Sequence, residues 1–226
     1  MDLAFRHPGI FFPSEEIDLG IVGHEIAASG ATALSAREIK KRIESGRTMS
    51  LAETPFSGTF RGIAIKGYPD YIAIEGGKAR LLLDFKFSKY QRVFASQRIQ
   101  IDIYGYLLAK NGLDTDGLIC GIVIISPELS WEDTTDLVVK DAKKVASDMR
   151  RKKLDKVYLE GDPDIYGELY AFSLVTAKNN LDWAMGYWTQ KRPPKPTTRV
   201  YKCAACSFNA AGKCRSALAP PRRRRQ

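Results

Sequence analysis

Two aspartates and a lysine in the first half of the chain have residue types and spacing suited to phosphodiester hydrolysis. Asp84 and Lys86 are separated by one residue, and Asp70 lies upstream of them. Carboxylates are hard oxygen ligands for Mg²⁺ or Mn²⁺, and a metal bound by them would polarise a phosphate and lower the pKa of a bound water. A neighbouring lysine could position that water or offset charge on the phosphorus. The alternative interpretation of Asp84 and Lys86 is an ordinary salt bridge at a strand end.

The residues around this trio predict two strands joined by a tight turn. The sequence EGGK at 75–78 is a hairpin connection, because glycine readily adopts positive φ. The second strand is predicted over 79–87, and side chains along a strand alternate between its faces. Leu82, Asp84 and Lys86 should therefore share one face of this strand.

A helix is predicted after the second strand, since apolar residues recur there at intervals of three and four. Gln100 and Tyr104 are four residues apart, so both lie on one face of this helix. The helical pattern stops at the Asn-Gly pair 111–112.

Three motifs follow one another along the chain: PD at 69–70, DFK at 84–86 and QxxxY at 100–104. Together they resemble the PD-(D/E)xK nuclease superfamily, and the QxxxY element is typical of its RecB-like branch. The resemblance implies an α/β fold with a restriction-endonuclease-like core, in which a mixed central sheet is flanked by helices.

The resemblance also implies roles for the residues of the first two motifs. Asp70, Asp84 and the backbone carbonyl of Phe85 would bind Mg²⁺ or Mn²⁺. Lys86 would position or activate the attacking water. These four positions match the superfamily pattern residue by residue.

Further roles follow from the RecB-like branch. Gln100 would orient Lys86 or the scissile phosphate, and Tyr104 would contact DNA. The sequence GIVGH at 20–24 resembles the early helix on which this branch carries a histidine ligand, so His24 is a third metal ligand or, alternatively, a core histidine. Glu53 is a secondary candidate, because related enzymes often carry a glutamate before the motif strand.

Composition favours a polyanionic partner. The chain has 226 residues, a net charge of +9 and a sequence pI of about 9.4. This balance points first to nucleic acid and second to an anionic membrane surface. No apolar run approaches the roughly 18 residues of a membrane span, and the N-terminus has no secretory pattern, so a cytoplasmic protein without a membrane partner is expected.

Of the four cysteines, one lies in the middle of the chain and three lie close together near its C-terminus. Cys120 lies within the apolar run 117–126, which predicts a buried central strand and a core role for this thiol. Cys203, Cys206 and Cys214 follow the proline-rich stretch 193–196. Their spacing is poor for a disulfide framework and predicts a site for a metal or a cluster in a reducing compartment.

A cysteine triplet behind a RecB-like nuclease resembles the iron–sulfur nucleases, which include the CRISPR-associated Cas-four family, the nuclease domain of AddB and exonuclease V. The resemblance implies a [4Fe–4S] cluster held by three C-terminal cysteines and one N-terminal cysteine. No cysteine precedes His24 in this chain. A shortened N-terminus, His7 or another ligand at the fourth position, and zinc with three cysteines and one histidine all remain open.

These observations predict a nuclease domain over 1–192, a small C-terminal cysteine-cluster subdomain over 193–219 and a basic tail over 220–226. The predicted function is a metal-dependent DNA exonuclease that prefers single strands, and the Cas-four resemblance further implies a role with the CRISPR integrase complex in spacer acquisition. The alternatives are a stand-alone repair exonuclease of the exonuclease V type and an inactive DNA-binding subunit that carries a cluster or zinc.

Overall fold

The computed structural model describes residues 41–159, 162–189, 191, 199–214 and 217–220. The chain divides into two compact units, and the boundary between the larger and the smaller falls after Asp182. The sequence 34–46 predicts an amphipathic helix that ends at Gly46, and residues 41–44 of this segment are helical. Gly46 has a φ of 67° and donates its N–H to the carbonyl of Ile43. Glycine is favoured at this position because it adopts a left-handed conformation without steric strain.

The described ranges contain eight strands and, after residues 41–44, five helices. In chain order these are β1 (Met49–Leu51), β2 (Phe56–Phe60), β3 (Ile63–Gly67), β4 (Tyr71–Glu75), β5 (Lys78–Phe87), α1 (Ala95–Lys110), β6 (Ile119–Ile125), α2 (Trp131–Lys152), β7 (Lys156–Leu159), β8 (Ile165–Ala171), α3 (Leu174–Trp188), α4 (Val200–Ala204) and α5 (Ser207–Ala210).

Six of the strands form one mixed sheet in the order β1-β4-β5-β6-β8-β7. Strands β5 and β6 are parallel, and the other neighbours are antiparallel. The connection from β5 to β6 runs through α1, as a parallel pair requires a crossover. The fold is therefore of the α/β class with a mixed sheet and flanking helices, as expected.

The hairpin between β4 and β5 is confirmed. Gly76 and Gly77 have φ values of 59° and 77°, and Glu75 pairs with Lys78. Positive φ at both central residues is the type of turn that suits the right-handed twist of paired strands.

From the sequence, residues 51–66 are predicted to supply a strand to the central sheet, and this prediction is wrong in part. Only β1 joins that sheet, whereas β2 and β3 pair with each other in a separate two-stranded sheet. Arg61 and Gly62 both have positive φ, so the chain turns back on itself at this point. The hairpin is attached to α1, where Tyr106 Oη donates to the carbonyl of Thr59 at 2.8 Å.

The two faces of β5 have different neighbours. Leu81, Leu83 and Phe85 belong to an apolar core that includes Ala142 and Met149 of α2. The alternation predicted for this strand is thus confirmed, and Asp84 and Lys86 belong to the opposite face. β6 is buried along its whole length, with Cys120 inside it as expected.

None of the helices within the described ranges is both long enough and apolar enough to cross a lipid bilayer.

A buried carboxylate ties α1 to two later elements. Asp102 accepts hydrogen bonds from Tyr170 Oη of β8 at 3.0 Å and from Asn180 Nδ2 of α3 at 2.7 Å. Burial raises the pKa of the Asp102 carboxyl above its ordinary value of 3.8, although both hydrogen bonds oppose that shift. Ionisation of Asp102 is therefore less favourable in the folded chain than in the unfolded chain.

Asp102→Asn is expected to flatten the pH dependence of stability between pH 3.8 and the raised pKa. In that window the folded chain binds more protons than the unfolded chain, so the contribution of Asp102 to stability falls as pH rises. Urea unfolding at a series of pH values would measure the slope, with Asp136→Asn on the exposed side of α2 as the control. Equal slopes in wild type and Asp102→Asn would contradict the assignment.

Candidate functional site

The carboxylate and ammonium predicted to lie side by side on β5 do so. Lys86 Nζ is 2.7 Å from Asp84 Oδ2. The Asp84 side chain is fully buried, while that of Lys86 is 21% exposed. The buried carboxylate thus holds a lysine whose side chain is still partly exposed. This geometry satisfies both the catalytic interpretation of the pair and the interpretation as a salt bridge.

Asp70 joins this pair because of the register between β4 and β5. Tyr71 pairs with Leu83 in an antiparallel ladder, so continuing the register by one residue brings Asp70 opposite Asp84. The buried Asp70 side chain accepts a hydrogen bond at Oδ2 from the backbone N–H of Phe85 at 2.6 Å. Three residues of the two predicted motifs therefore meet near the C-terminal end of β5.

Gln100 and Tyr104 are joined on α1 as their spacing predicted. Gln100 Nε2 donates to Tyr104 Oη at 2.7 Å. Burial raises the pKa of Tyr104 to about 12, the hydrogen bond from Gln100 opposes this, and the negative charges of Asp84, Asp70 and Glu53 raise it further. Tyr104 is therefore a neutral phenol at physiological pH, and its hydroxyl lies within the electrostatic field of three carboxylates.

Glu53, the secondary candidate, lies just beyond β1 in a left-handed backbone conformation with φ of 45°. This conformation is uncommon for residues other than glycine. Its carboxylate acts on the same tyrosine hydroxyl as Asp70 and Asp84. Since β1 is the neighbour of β4, the sheet brings Glu53 to the side of the candidate site.

The Tyr104 ring packs directly against the backbone of β3. A Cβ atom placed on Gly67 would lie 2.6 Å from Cε1 and 2.7 Å from Cδ1 of Tyr104. Such separations are too short for carbon atoms, so a larger residue at Gly67 would displace the ring. Gly67 thus sets the position of Tyr104.

Gly67→Ala is expected to lower the free energy of unfolding by about 1–3 kcal/mol, because extra volume in a packed region forces neighbouring atoms to move. Thermal unfolding would measure the change. Gly58→Ala in the partner strand is the matched control, since its Cβ would meet Leu107 at 3.2 Å and the loss should be smaller. A Gly67→Ala chain as stable as Gly58→Ala would contradict this packing.

The oxygen donors at the end of β5 fit a hard divalent cation. Mg²⁺ is commonly bound by one or two carboxylates together with water and substrate phosphates, and Asp70 and Asp84 supply two adjacent carboxylates. Within residues 41–159, 162–189, 191, 199–214 and 217–220, three or more His, Cys, Asp or Glu side chains do not group in an arrangement that could hold a metal ion. The predicted third ligand, His24, lies outside the described residues.

The predicted cysteine site lies in two short helices and the turn that follows. Cys203 of α4 is buried, and its Sγ accepts a hydrogen bond from the backbone N–H of Leu218 at 3.0 Å. Cys206 precedes α5, and both Cys206 and Cys214 are partly exposed. Asn209 Nδ2 donates to the carbonyls of Cys203 and Ala219 and so ties the segment together. A cluster or zinc at these cysteines remains a prediction.

Sequence reasoning missed a second polar group on the other flank of α1. Glu168 of β8 accepts hydrogen bonds from Arg98 and forms an ion pair with Lys156 of β7. No motif signals this group, because its three residues come from separate elements. A glutamate within the apolar strand 165–171 was the one available hint.

Comparison with known proteins adds little to this geometry. No protein-family model and no curated protein matches the chain. The crystal structure of a protein named SSO0001 aligns with 96% of this chain and 94% of its own, with a TM-score of 0.41 and 16% sequence identity. A likeness this weak carries no argument about function.

Proposed function

We propose that the chain is a metal-dependent deoxyribonuclease whose catalytic residues are Asp70, Asp84 and Lys86. The supporting observation is the 2.7 Å contact between Lys86 Nζ and Asp84 Oδ2, beside an Asp70 that is fixed to the Phe85 amide. A salt bridge with only a structural role would consist of Asp84 and Lys86 alone. It would not require Asp70 as a second buried carboxylate, nor a tyrosine hydroxyl in the electrostatic field of both aspartates.

Asp84 and Asp70 are oriented before any substrate arrives. The fold holds both carboxylates in buried positions, so little reorganisation is required when charge develops at a phosphate. Bound by these carboxylates and the Phe85 carbonyl oxygen, with His24 as a proposed further ligand, Mg²⁺ or Mn²⁺ would polarise the phosphate and supply a more acidic water.

Lys86 provides the positive charge next to the reacting atoms. Its ammonium is held by Asp84 on a side chain that stays partly exposed, so it can orient a water or donate to a phosphate oxygen. Tyr104, hydrogen-bonded to Gln100, lies within the electrostatic field of Asp84 and Asp70. Since Gln100 already donates one amide hydrogen to Tyr104 Oη, the second can be donated to a phosphate oxygen, and its carbonyl oxygen can accept from the Lys86 ammonium.

The proposed substrate is DNA, cleaved exonucleolytically with a preference for single strands. The net charge of +9 suits a polyanion. From the motif resemblance we further propose a cytoplasmic role with the CRISPR integrase complex in spacer acquisition, and an iron–sulfur cluster, or zinc, at Cys203, Cys206 and Cys214.

The test is digestion of single-stranded oligonucleotides labelled at the 5′ or the 3′ end, with Mg²⁺, Mn²⁺ or EDTA. Wild type should remove label in the presence of metal, and Asp84→Asn should not. Asp114→Asn is the matched control, because Asp114 pairs with Lys78 at the opposite end of β5. Failure of wild type to cleave with either metal, while still binding DNA, would support the DNA-binding subunit instead.

A further inference from the structure

The flank of α1 away from the candidate site presents two cations held by one buried carboxylate. Glu168 Oε2 accepts hydrogen bonds from Arg98 Nη2 at 2.6 Å and Nε at 3.1 Å, and it lies 2.8 Å from Lys156 Nζ. Tyr166 Oη donates to Glu168 Oε1 at 3.1 Å. Burial alone would raise the pKa of Glu168, but the hydrogen bonds from Lys156 and Arg98 outweigh it and hold that pKa below 4.5.

The charges in this group do not cancel. Two cations face one carboxylate, so a net positive charge remains at neutral pH. The side chains of Arg98 and Lys156 are 40% and 36% exposed, whereas that of Glu168 is 6% exposed. The buried anion therefore fixes two cations whose side chains are partly exposed.

Two tyrosines accompany these cations on the same side of the sheet. The rings of Tyr158 and Tyr166 have centroids 6.2 Å apart and planes inclined by 36°. Lys156 Nζ lies 4.6 Å from the centroid of the Tyr158 ring. Tyr158 is 46% exposed, which is a large exposed fraction for an aromatic side chain on a strand.

The strand register places this group on the same sheet face as the proposed catalytic residues. Asp84 pairs with Ile122, Ile122 with Glu168, and Glu168 with Tyr158. Directly paired residues point to the same face, so this row runs from β5 across the sheet to β7. The separation is three strand spacings of about 4.8 Å each, or about 14 Å, which a few nucleotides can span.

The loop between β5 and α1 joins the strand that carries Asp84 and Lys86 to the helix that carries Arg98. Its first residue, Ser88, donates its N–H to the carbonyl of Ile125, which holds the loop at the end of β6. Lys89, Tyr90 and Arg92 of this loop are all exposed. Further cationic and aromatic side chains are thus exposed on the segment that connects the candidate site to α1.

We propose that Tyr158 and Tyr166, with the cations that Glu168 holds, form a stacking platform for unpaired bases of the strand being cleaved. Aromatic rings stack on any base, and neighbouring cations bind the phosphates of the same strand. Bases in a duplex do not offer free faces for such stacking, so the platform selects single strands. The placement of the scissile phosphate at Asp84 and Lys86 rests on the proposed function, but the platform itself does not.

Binding of a fluorescent oligo(dT) in EDTA tests the platform without cleavage. Tyr158→Leu keeps apolar bulk but removes the aromatic face, and we expect affinity to fall about tenfold, as for loss of one stacked base. Tyr158→Phe should bind as wild type. Lys156→Gln should weaken binding and reduce its salt dependence. Lys140→Gln, at an exposed position of α2, should do neither.

Photocrosslinking of the unaltered chain provides a second measurement. Oligonucleotides with 5-iododeoxyuridine at successive positions should crosslink to Tyr158 or Tyr166 at a position a few nucleotides from the cleaved bond. Wild-type affinity in Tyr158→Leu, or crosslinks confined to other elements, would overturn the platform. Binding and crosslinking as expected in a chain that never cleaves DNA would instead overturn the nuclease and leave the platform standing.

Discussion

Lys86→Ala is expected to slow DNA cleavage by about 10²–10³-fold while DNA affinity stays close to that of wild type. Removing one preorganised group that stabilises transition-state charge has effects of this size. Lys86 is one cation among many in a chain of net charge +9, so its share of binding is small. Single-turnover cleavage of a labelled single strand, with binding measured separately in EDTA, would establish both values.

Lys78→Ala on the same strand is the matched control for that result. Lys78 Nζ lies 2.8 Å from Asp114 Oδ2 in a partly exposed ion pair, so the substitution removes a comparable pair away from the site. It should leave cleavage unchanged. Because loss of Lys86 also disturbs a buried carboxylate, Lys86→Gln serves as a second variant that keeps a polar side chain of similar length. Wild-type cleavage rates in both variants would favour the salt-bridge interpretation.

Asp70→Asn is expected to abolish most cleavage without unfolding the chain. The amide oxygen of asparagine can still accept the hydrogen bond from the Phe85 N–H, which Asp70 Oδ2 now accepts at 2.6 Å. The negative charge that binds a divalent cation is lost. Cleavage rates across a range of Mn²⁺ concentrations should therefore show a large decrease that added metal only partly reverses.

Asp70→Ala separates the structural role of this residue from its charge. It leaves the buried Phe85 amide without this acceptor, which should lower the free energy of unfolding by about 1–3 kcal/mol. Asp70→Asn should be clearly more stable than Asp70→Ala in urea unfolding. If Asp70→Asn cleaves DNA at the wild-type rate, the carboxylate has a structural role alone.

The features that the sequence predicted well are those set by neighbours along the chain. The hairpin at 75–78 depends on two glycines, and the faces of β5 depend on period-two alternation. The pairing of Gln100 with Tyr104 depends on helical spacing. In each case a few adjacent residues determine the geometry, so no knowledge of distant contacts is needed.

Distant contacts explain what the sequence left undecided. Whether residues 56–67 enter the central sheet depends on which strand offers them hydrogen bonds, and they pair with each other beside α1. The negative charge of Glu53 acts on the Tyr104 hydroxyl, because the pairing of β1 with β4 brings Glu53 to the side of the candidate site. The group around Glu168 unites β7, β8 and α1, whose residues have no shared spacing along the chain.

By itself, the sequence determined the identity and order of the motif residues, the faces they occupy and the basic character of the chain. The tertiary structure decided that Asp70 meets Asp84 and Lys86, because strand register brings distant residues within hydrogen-bond reach. It also decided that α1 separates the candidate site from a second, cationic and aromatic group on the same sheet face. Local propensity acts over a few residues, whereas burial and pairing energies are determined by the whole fold.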